Sequence, residues 1–485
     1  MTAGPATSAL AAAGLAVARL APAGSASDGS AAGGLAAAGS ATDGLRAAGL
    51  GRAGLAAGGL ASAGLVAAGP VPAGFAAVGP PAVATVTVPR IVEVGPGAVD
   101  GLAAVLRELG AVRPLLVTDA GVRAAGIADR VAGLLAAAGT PVTVWDAVDR
   151  QATDSCVESC RDAVLATSAD SVVAVGGGTS IDVAKAAASL ASHGGTITGY
   201  AGLDRFTRAG RPVVAVPTVP GSGAEVSRHA TLTSTMDGRR FAVSGRLAGP
   251  VAVLADPDLT VTAPVDVARN ACLDSLVHAV EAYLAQAATP LTDLLASAAV
   301  PLITRHIEAT ADRPTADRRQ LLLGCLYAGI AMANANAGAV HALGYPLTNR
   351  YRIPHGLANA LVAPAVLDAV LAGSELRQRQ LVRLWSNSTT ATSAVTACTE
   401  RMTRSLSTTF AALLGRLGIA PGLARYGVPE ADLPALAADV TGYGPVLGNA
   451  PVRLDHDTIL AAYRAAWPVP VGTPRGRTQL AGESR

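Results

Sequence analysis

The sequence predicts an α/β domain built on a parallel sheet, followed by an all-helical domain and preceded by a low-complexity extension. Three observations lead there. From Thr85 to about residue 257, short apolar strand patterns alternate with amphipathic helical ones, the order of a parallel sheet with helical crossovers. After about residue 262 long helical periods dominate. In the first 82 residues glycine recurs every fifth position, from Gly24, Gly29, Gly34 and Gly39 onward to Gly79. The expected boundaries are 1–82, 83–262 and 263–470, with a tail at 471–485.

The extension carries units such as DGLRA and AGLAA, a period close to that of pentapeptide repeats. Glycine raises the entropy cost of order and offers nothing to bury, so a disordered segment is expected there. The globular pattern then opens with VTVPRIVEVG as strands and VDGLAAVLRELG as a helix ending at Gly110. PLLVTDAG, TPVTVWDAV and DSVVAVGGG read as strands, separated by VAGLLAAAG and CVESCRDAVLATS as helices. RPVVAVPT and VAVLADP continue the strands. VARNACLDSLVHAVEAYLA, DRRQLLLGCLYAGIAMANANAGAVHAL, GLANALVAPAVLDAVLAG and TILAAYRAAW carry the helical half.

The 485 residues are 51% hydrophobic but only 3% aromatic, so the core is built from Ala, Val and Leu. A net charge of +2 with interspersed signs leaves no footprint for nucleic acid. The apolar runs are short or broken, which argues against a membrane span. The first basic residue is Arg19, so no secretory signal pattern is expected. Cys156, Cys160, Cys272, Cys325 and Cys398 form no CxxC pair and fit no disulfide framework, and a cytoplasmic protein is expected.

Three stretches carry chemistry. In VVAVGGGTSIDVAKAA a strand enters a glycine turn and a helix begins, with Thr179 or Ser180 available as cap. A helix N-terminus offers free amides to a phosphate, although an ordinary strand-turn-helix corner has the same pattern. Asp182 and Lys185 share a face of that helix. Lys185 is the only lysine in the chain, where arginine would serve equally in a surface pair. A site that fits a compact ammonium but not a guanidinium explains it better than a surface ion pair does. In LDSLVHAVEAY, Asp274 and His278 stand four apart, as metal ligands or as a helix-surface pair. In AGAVHALGYPLTNRYRIPHGLANA, His341 ends a helical run and His355 opens the next helix after Pro346 and Pro354 interrupt. Three histidines and one aspartate suit Fe(II) or Zn(II) with a position left for substrate.

These motifs, joined by PRIVEVGPGAV, LLVTDAG, VAVPTVPGSGAEVS, VLADPDLTVTAP and IPHGLANALVAP in this order, resemble the iron-containing (group III) alcohol dehydrogenase family over residues 84–467. The resemblance implies a Rossmann-like dinucleotide-binding domain, a helical domain and an active site in the cleft between them, the architecture shared with dehydroquinate synthase. It implies Asp274, His278, His341 and His355 as metal ligands, with Fe(II) first and Zn(II) second. Gly176, Gly177, Gly178, Thr179 and Ser180 would hold the cofactor pyrophosphate. Asp182 and Lys185 match the family's D-x-x-K and would face the cleft, and Thr218 and Ser222 would line the nicotinamide side. Asp119 resembles the acidic residue that holds the adenosine ribose, favouring NAD over NADP. Arg240 stands where many members have Lys near the cofactor. The family pattern also implies a homodimer.

Two departures matter. Tyr345 stands where many members carry a histidine proposed as proton relay, so acid–base work would fall to a phenol. Val219 replaces a frequent threonine. The implied reaction is hydride transfer between NAD(P)H and a small alcohol or aldehyde. The loop YPLTNRY resembles members that reduce small polar aldehydes, including the phosphonoacetaldehyde reductases that form 2-hydroxyethylphosphonate. Two rivals remain at this stage: an NAD-using cyclase of the dehydroquinate-synthase type, and a non-catalytic binding protein with a degenerate enzyme body.

Overall fold

A computed structural model describes residues 84–308, 316–372, 375–386 and 405–468. These lie in one compact unit, residues 74–485. The glycine repeat at 1–82, Cys398 and the tail at 471–485 lie outside the described residues.

The strands are β1 (Ile91–Val94), β2 (Pro114–Asp119), β3 (Thr143–Val148), β4 (Ser171–Gly176), β5 (Gly202–Leu203), β6 (Val213–Pro217), β7 (His229–Thr233), β8 (Arg240–Ser244) and β9 (Ala252–Ala255). Six of them form a parallel sheet in the order β1-β9-β6-β4-β2-β3. Its helices include α1 (Leu102–Glu108), α2 (Ala120–Ala124), α3 (Ile127–Ala137), α4 (Asp154–Ala166) and α5 (Gly178–His193). Val172 and Ala174 pack on one side with Val157 and Ile181, while Val173 and Val175 pack on the other with Leu106 and Val131. Both faces are covered, which is why these strands read as continuous apolar runs rather than as alternation. A second sheet, β5-β8-β7, contains an antiparallel hairpin of β7 and β8 that the strand pattern had not marked.

The helical half begins with α6 (Val265–Leu284), α7 (Pro290–His306) and α8 (Ala316–Ala335), followed by α9 (Ala339–Tyr351) and α10 (His355–Val370). It continues through α11 (Glu375–Ser386), α12 (Leu406–Arg416), α13 (Leu433–Val440), α14 (Gly444–Leu447) and α15 (His456–Ala466). Its core is a separate aliphatic cluster around Leu276, Val300, Leu343 and Phe410. The single helical run expected before His341 is two helices, α8 and α9, bent by 102°. Asn336 adopts φ 62° at the break. His341 therefore sits near the start of α9, and Pro346 lies inside that helix without ending it. Among the described residues no single helix is long and apolar enough to cross a membrane. Cys156, Cys160, Cys272 and Cys325 are buried and unbridged, as packing residues would be.

Candidate active site

Parallel strands end on a common edge, and here Asp119, Gly176 and Pro217 close the neighbouring strands β2, β4 and β6. Ligands of open α/β sheets bind at that carboxyl edge. Helix α5 starts at Gly178 with Gly177 at the N-cap and no side-chain cap, so neither Thr179 nor Ser180 caps it. Ser180 instead donates its Oγ to Asp119 Oδ2 at 3.0 Å, and Asp119 Oδ1 accepts the amide of Val122 at 3.0 Å, capping α2. The first-turn amides of α5 are thus left without a side-chain acceptor. A Cβ at Gly176 would lie 2.6 Å from that of Ser180, and one at Gly178 would lie 2.8 Å from that of Ser222. The glycines are needed for this approach.

Lys185 does not face the cleft as the motif implied. Its side chain is fully buried, and Nζ meets the carbonyls of Ala224 at 3.0 Å, Ser227 at 3.3 Å and His229 at 2.5 Å. Asp182 Oδ1 lies 2.8 Å from the same ammonium, and Asp182 Oδ2 accepts the amide of Thr231 at 2.9 Å. The pair ties α5 to the loop and strand that follow β6. Three convergent carbonyls suit a compact ammonium better than a planar guanidinium, which accounts for the lone lysine.

The loop held by Lys185 docks on the helical half. Thr218 is buried and its amide bonds to the Gly176 carbonyl at 3.0 Å. Ser222 Oγ contacts Glu225 Oε2 at 3.4 Å. Ser275 donates to the Gly221 carbonyl at 2.6 Å. Gly223 has φ 66°, and a Cβ there would meet Gly329 Cα at 2.9 Å and His278 Nδ1 at 3.9 Å. One short loop therefore separates the start of α5 from the histidines.

Asp274, His341 and His355 each bring one ligand atom within 4.8 Å of the others. Nε2 of His341 lies 3.5 Å from Asp274 Oδ1 and Nε2 of His355 lies 3.8 Å from it. His278 falls outside this tight triplet. Its Nε2 is 3.6 Å from Asp274 Oδ2 and its ring stacks on His341 at 4.9 Å. All four sequence-selected residues thus meet in one place. His278, His341 and Asp274 are almost fully buried, whereas 28% of the His355 side chain is exposed, so the cluster opens on the His355 side. Tyr345 lies there, its ring parallel to His355 at 5.5 Å.

The donor set fits a divalent cation. Nε2 of His341 and Nδ1 of His278 and His355 are buried without a hydrogen-bond partner. Asp274 is buried, which opposes ionisation, yet His278, His355 and His341 hold its carboxyl well below the usual range. Burial pushes His278 down to about 4. His341 is pushed up to about 10: Glu281 and Asp274 outweigh its burial. Burial raises the Tyr345 phenol against the opposing charge of Arg240.

Two residues of this site were missed by sequence reasoning. Glu281 accepts from His341 Nδ1 at 2.5 Å and from the amides of Gly338 and Val340 at 3.0 and 2.5 Å. Asn359 Nδ2 donates to Asp274 Oδ1 at 2.8 Å and lies 3.3 Å from His355 Nε2. A signal for each was present: a carboxylate one turn after His278 in an apolar helix, and an amide one turn after His355.

Comparison with known proteins matches this geometry. Residues 89–257 fit the model of "Iron-containing alcohol dehydrogenase" and residues 269–467 that of "Fe-containing alcohol dehydrogenase family, C-terminal". Long-chain-alcohol dehydrogenase 1 of Geobacillus thermodenitrificans is 32% identical over 400 residues, 80% of this chain and 97% of that protein. Sulfoacetaldehyde reductase of Bilophila wadsworthia is 30% identical over 397 residues, 78% of this chain and 97% of that protein. The crystal structure of a 1,3-propanediol oxidoreductase superposes with a TM-score of 0.74 at 30% identity, covering 79% of this chain and all of that one. Both models that match are those of iron-containing alcohol dehydrogenases, and the chain belongs to the iron-containing alcohol dehydrogenase family of oxidoreductases.

Proposed function

We propose that this protein reduces a short polar aldehyde to its alcohol, and runs the reverse oxidation, with NAD(H) and a metal ion held by Asp274, His278, His341 and His355. The observation that carries the reading is the buried cluster of three histidines around an ionised Asp274, with the unpartnered Nε2 of His341 turned to that carboxylate, one loop away from the bare start of α5. A divalent ion in that cluster supplies Lewis-acid polarisation of the carbonyl. A dinucleotide lying along Gly176, Gly177, Gly178, Thr179 and Ser180, with Thr218 and Ser222 on its nicotinamide side, supplies the hydride.

The chain's own groups do the positioning. Tyr345, at the open side of the cluster, keeps its phenolic proton at neutral pH as any phenol does, and burial raises its pKa further, so it can donate a hydrogen bond to the carbonyl oxygen. Asp119 at the end of β2 favours NAD over NADP, since its carboxylate would repel a 2′-phosphate. Iron is favoured over zinc on family grounds; three imidazoles and a carboxylate accept either. Among substrates, phosphonoacetaldehyde is supported by the YPLTNRY segment, which the structure folds as the second half of α9 rather than as a loop, and by the likeness to a sulfoacetaldehyde reductase, whose name describes the sulfonate counterpart.

The test is metal content by elemental analysis, then NADH and NADPH oxidation with a panel of short aldehydes. Chelation should abolish turnover and Fe(II) should restore it; His278→Ala should lose both metal and activity. Full turnover by metal-free protein would overturn the reading.

A further inference from the structure

The ligand cluster opens where 28% of the His355 side chain is exposed, and Tyr345 stands at that opening with its ring parallel to His355 at 5.5 Å. A second phenol adjoins the first. The ring of Tyr443 lies 5.0 Å from that of Tyr345, inclined to it by 51°. Asn349, one turn after Tyr345 on α9, donates Nδ2 to the Tyr443 hydroxyl oxygen at 3.2 Å. That bond uses a lone pair of the oxygen, and among the described residues no acceptor meets the phenolic proton.

Tyr443 is carried by a short strap, the 3-10 turn of residues 441–443 between α13 and α14. Thr441, Gly442, Gly444 and Pro445 are exposed, and a Cβ at Gly442 or Gly444 would meet nothing within 4 Å. Of residues 441–445 only Tyr443 turns inward, half-buried. Before the turn, Val440 is fully buried in the helical core. After it, Asn449 donates Nδ2 to the carbonyls of Ala335, Asn336 and Ala337 at 2.8, 3.1 and 3.0 Å, at the break between α8 and α9. A ring fixed by both ends of its strap and by Asn349 is a rigid wall, and rigid walls discriminate by shape.

We propose that Tyr443 is a specificity-determining residue: its ring closes the outer end of the substrate site against long chains, and its hydroxyl donates to an acceptor oxygen at the far end of a short aldehyde. With the carbonyl oxygen at Tyr345, a chain growing outward meets the neighbouring ring of Tyr443 after a few carbons. An apolar chain end there leaves the phenolic proton unpaired, whereas a hydroxyl or sulfonate oxygen accepts it. The inference rests on the aldehyde-reductase reading above and adds what limits its substrates.

Two measurements on the metal-loaded protein with NADH bound test it. The first is calorimetric titration with butanamide and heptanamide, which carry a carbonyl but are not reduced. The wild type should prefer butanamide, and Tyr443→Ala should shift the preference toward heptanamide about 10- to 100-fold. The second is kcat/KM across a series of aldehydes. The ratio for heptanal to propanal should rise about 10- to 100-fold in Tyr443→Ala. Tyr443→Phe keeps the ring and so the length limit, but the ratio for glycolaldehyde to propanal should fall about 3- to 10-fold, mainly through KM. A wild type that takes heptanal as readily as propanal, a Tyr443→Ala protein with unchanged preferences, or an unchanged glycolaldehyde ratio in Tyr443→Phe would each overturn the proposal. A length limit on amide binding that depends on Tyr443, with no aldehyde reduced, would support the wall and sink the reaction assigned above.

Discussion

The Glu281 carboxylate lies 2.5 Å from Nδ1 of His341 and leaves the opposite nitrogen, Nε2, facing Asp274. A histidine that donates Nδ1–H to a carboxylate has its tautomer and ring orientation fixed, with a more basic nitrogen turned to the metal. Glu281 reaches His341 from α6 and also accepts the two amides that open α9, so one carboxylate sets the bend and the ligand together. Glu281→Gln should bind Fe(II) about 10- to 100-fold more weakly in a chelator-competition titration. Glu281→Ala should lose stability as well, since two buried amides lose their acceptor. Wild-type metal affinity in both variants would remove Glu281 from the site.

Gly344 and Asn359 form a second such pair. A Cβ at Gly344 would clash with Asn359 Oδ1, the amide whose Nδ2 holds Asp274. Glycine inside a helix ordinarily costs about 1 kcal/mol relative to alanine. Here the sign should reverse: Gly344→Ala should destabilise by about 1–3 kcal/mol, as overpacked sites do. Adding Asn359→Ala should recover part of that loss, because the clashing atom is gone. Urea unfolding of the two single variants and the double variant reads this directly, and a Gly344→Ala protein more stable than wild type would refute it.

The sheet and the clustering of Asp274 with His278, His341 and His355 were legible in the sequence for physical reasons. Strands covered on both faces must be apolar throughout, and β4 and β6 are. Metal ligation demands residue types that are scarce in this chain, which has seven histidines in all. The β7–β8 hairpin was harder to read because its strands are half polar; the Asp237–Gly238 dipeptide between them is a hairpin signal that was passed over. The break at Asn336 was hidden because α8 and α9 are both apolar and only three residues, 336–338, the first of them left-handed, separate them. The role of Lys185 was misread since sequence spacing cannot say what lies across from a helix face. The carbonyls it binds are 39 to 44 residues away.

Those carbonyls make Lys185 a test of structure rather than of chemistry. Lys185→Met would leave Asp182 as a buried unpaired carboxylate and free three acceptors, a loss of about 3–5 kcal/mol. Lys185→Arg keeps the charge but must fit a planar fork among converging carbonyls, so it too should be destabilised in urea, by about 1–3 kcal/mol. A Lys185→Arg protein as stable as wild type would mean that the lone lysine has no steric cause.

His229 supplies a pH dependence that is separate from the metal cluster. It opens β7, with Nδ1 2.8 Å from Ser244 Oγ on β8 and Nε2 buried without a partner. Burial, then the charges of Lys185 and Arg228, push its pKa down from 6.5 to about 4. Between those values the unfolded chain takes up a proton that the folded chain refuses. Stability therefore falls as the pH drops below about 6.5, and this residue contributes no pH dependence above it. At pH 4.5 its share of the loss is about 2.5 kcal/mol, from 1.36 kcal/mol per pKa unit over the two units below 6.5. Urea unfolding of wild type and His229→Gln at pH 7.5 and 4.5 isolates that share, because every other titrating group is common to both proteins. The variant should lose less stability on acidification by about that amount, and equal losses would show that His229 is protonated in the folded protein as readily as in the unfolded chain.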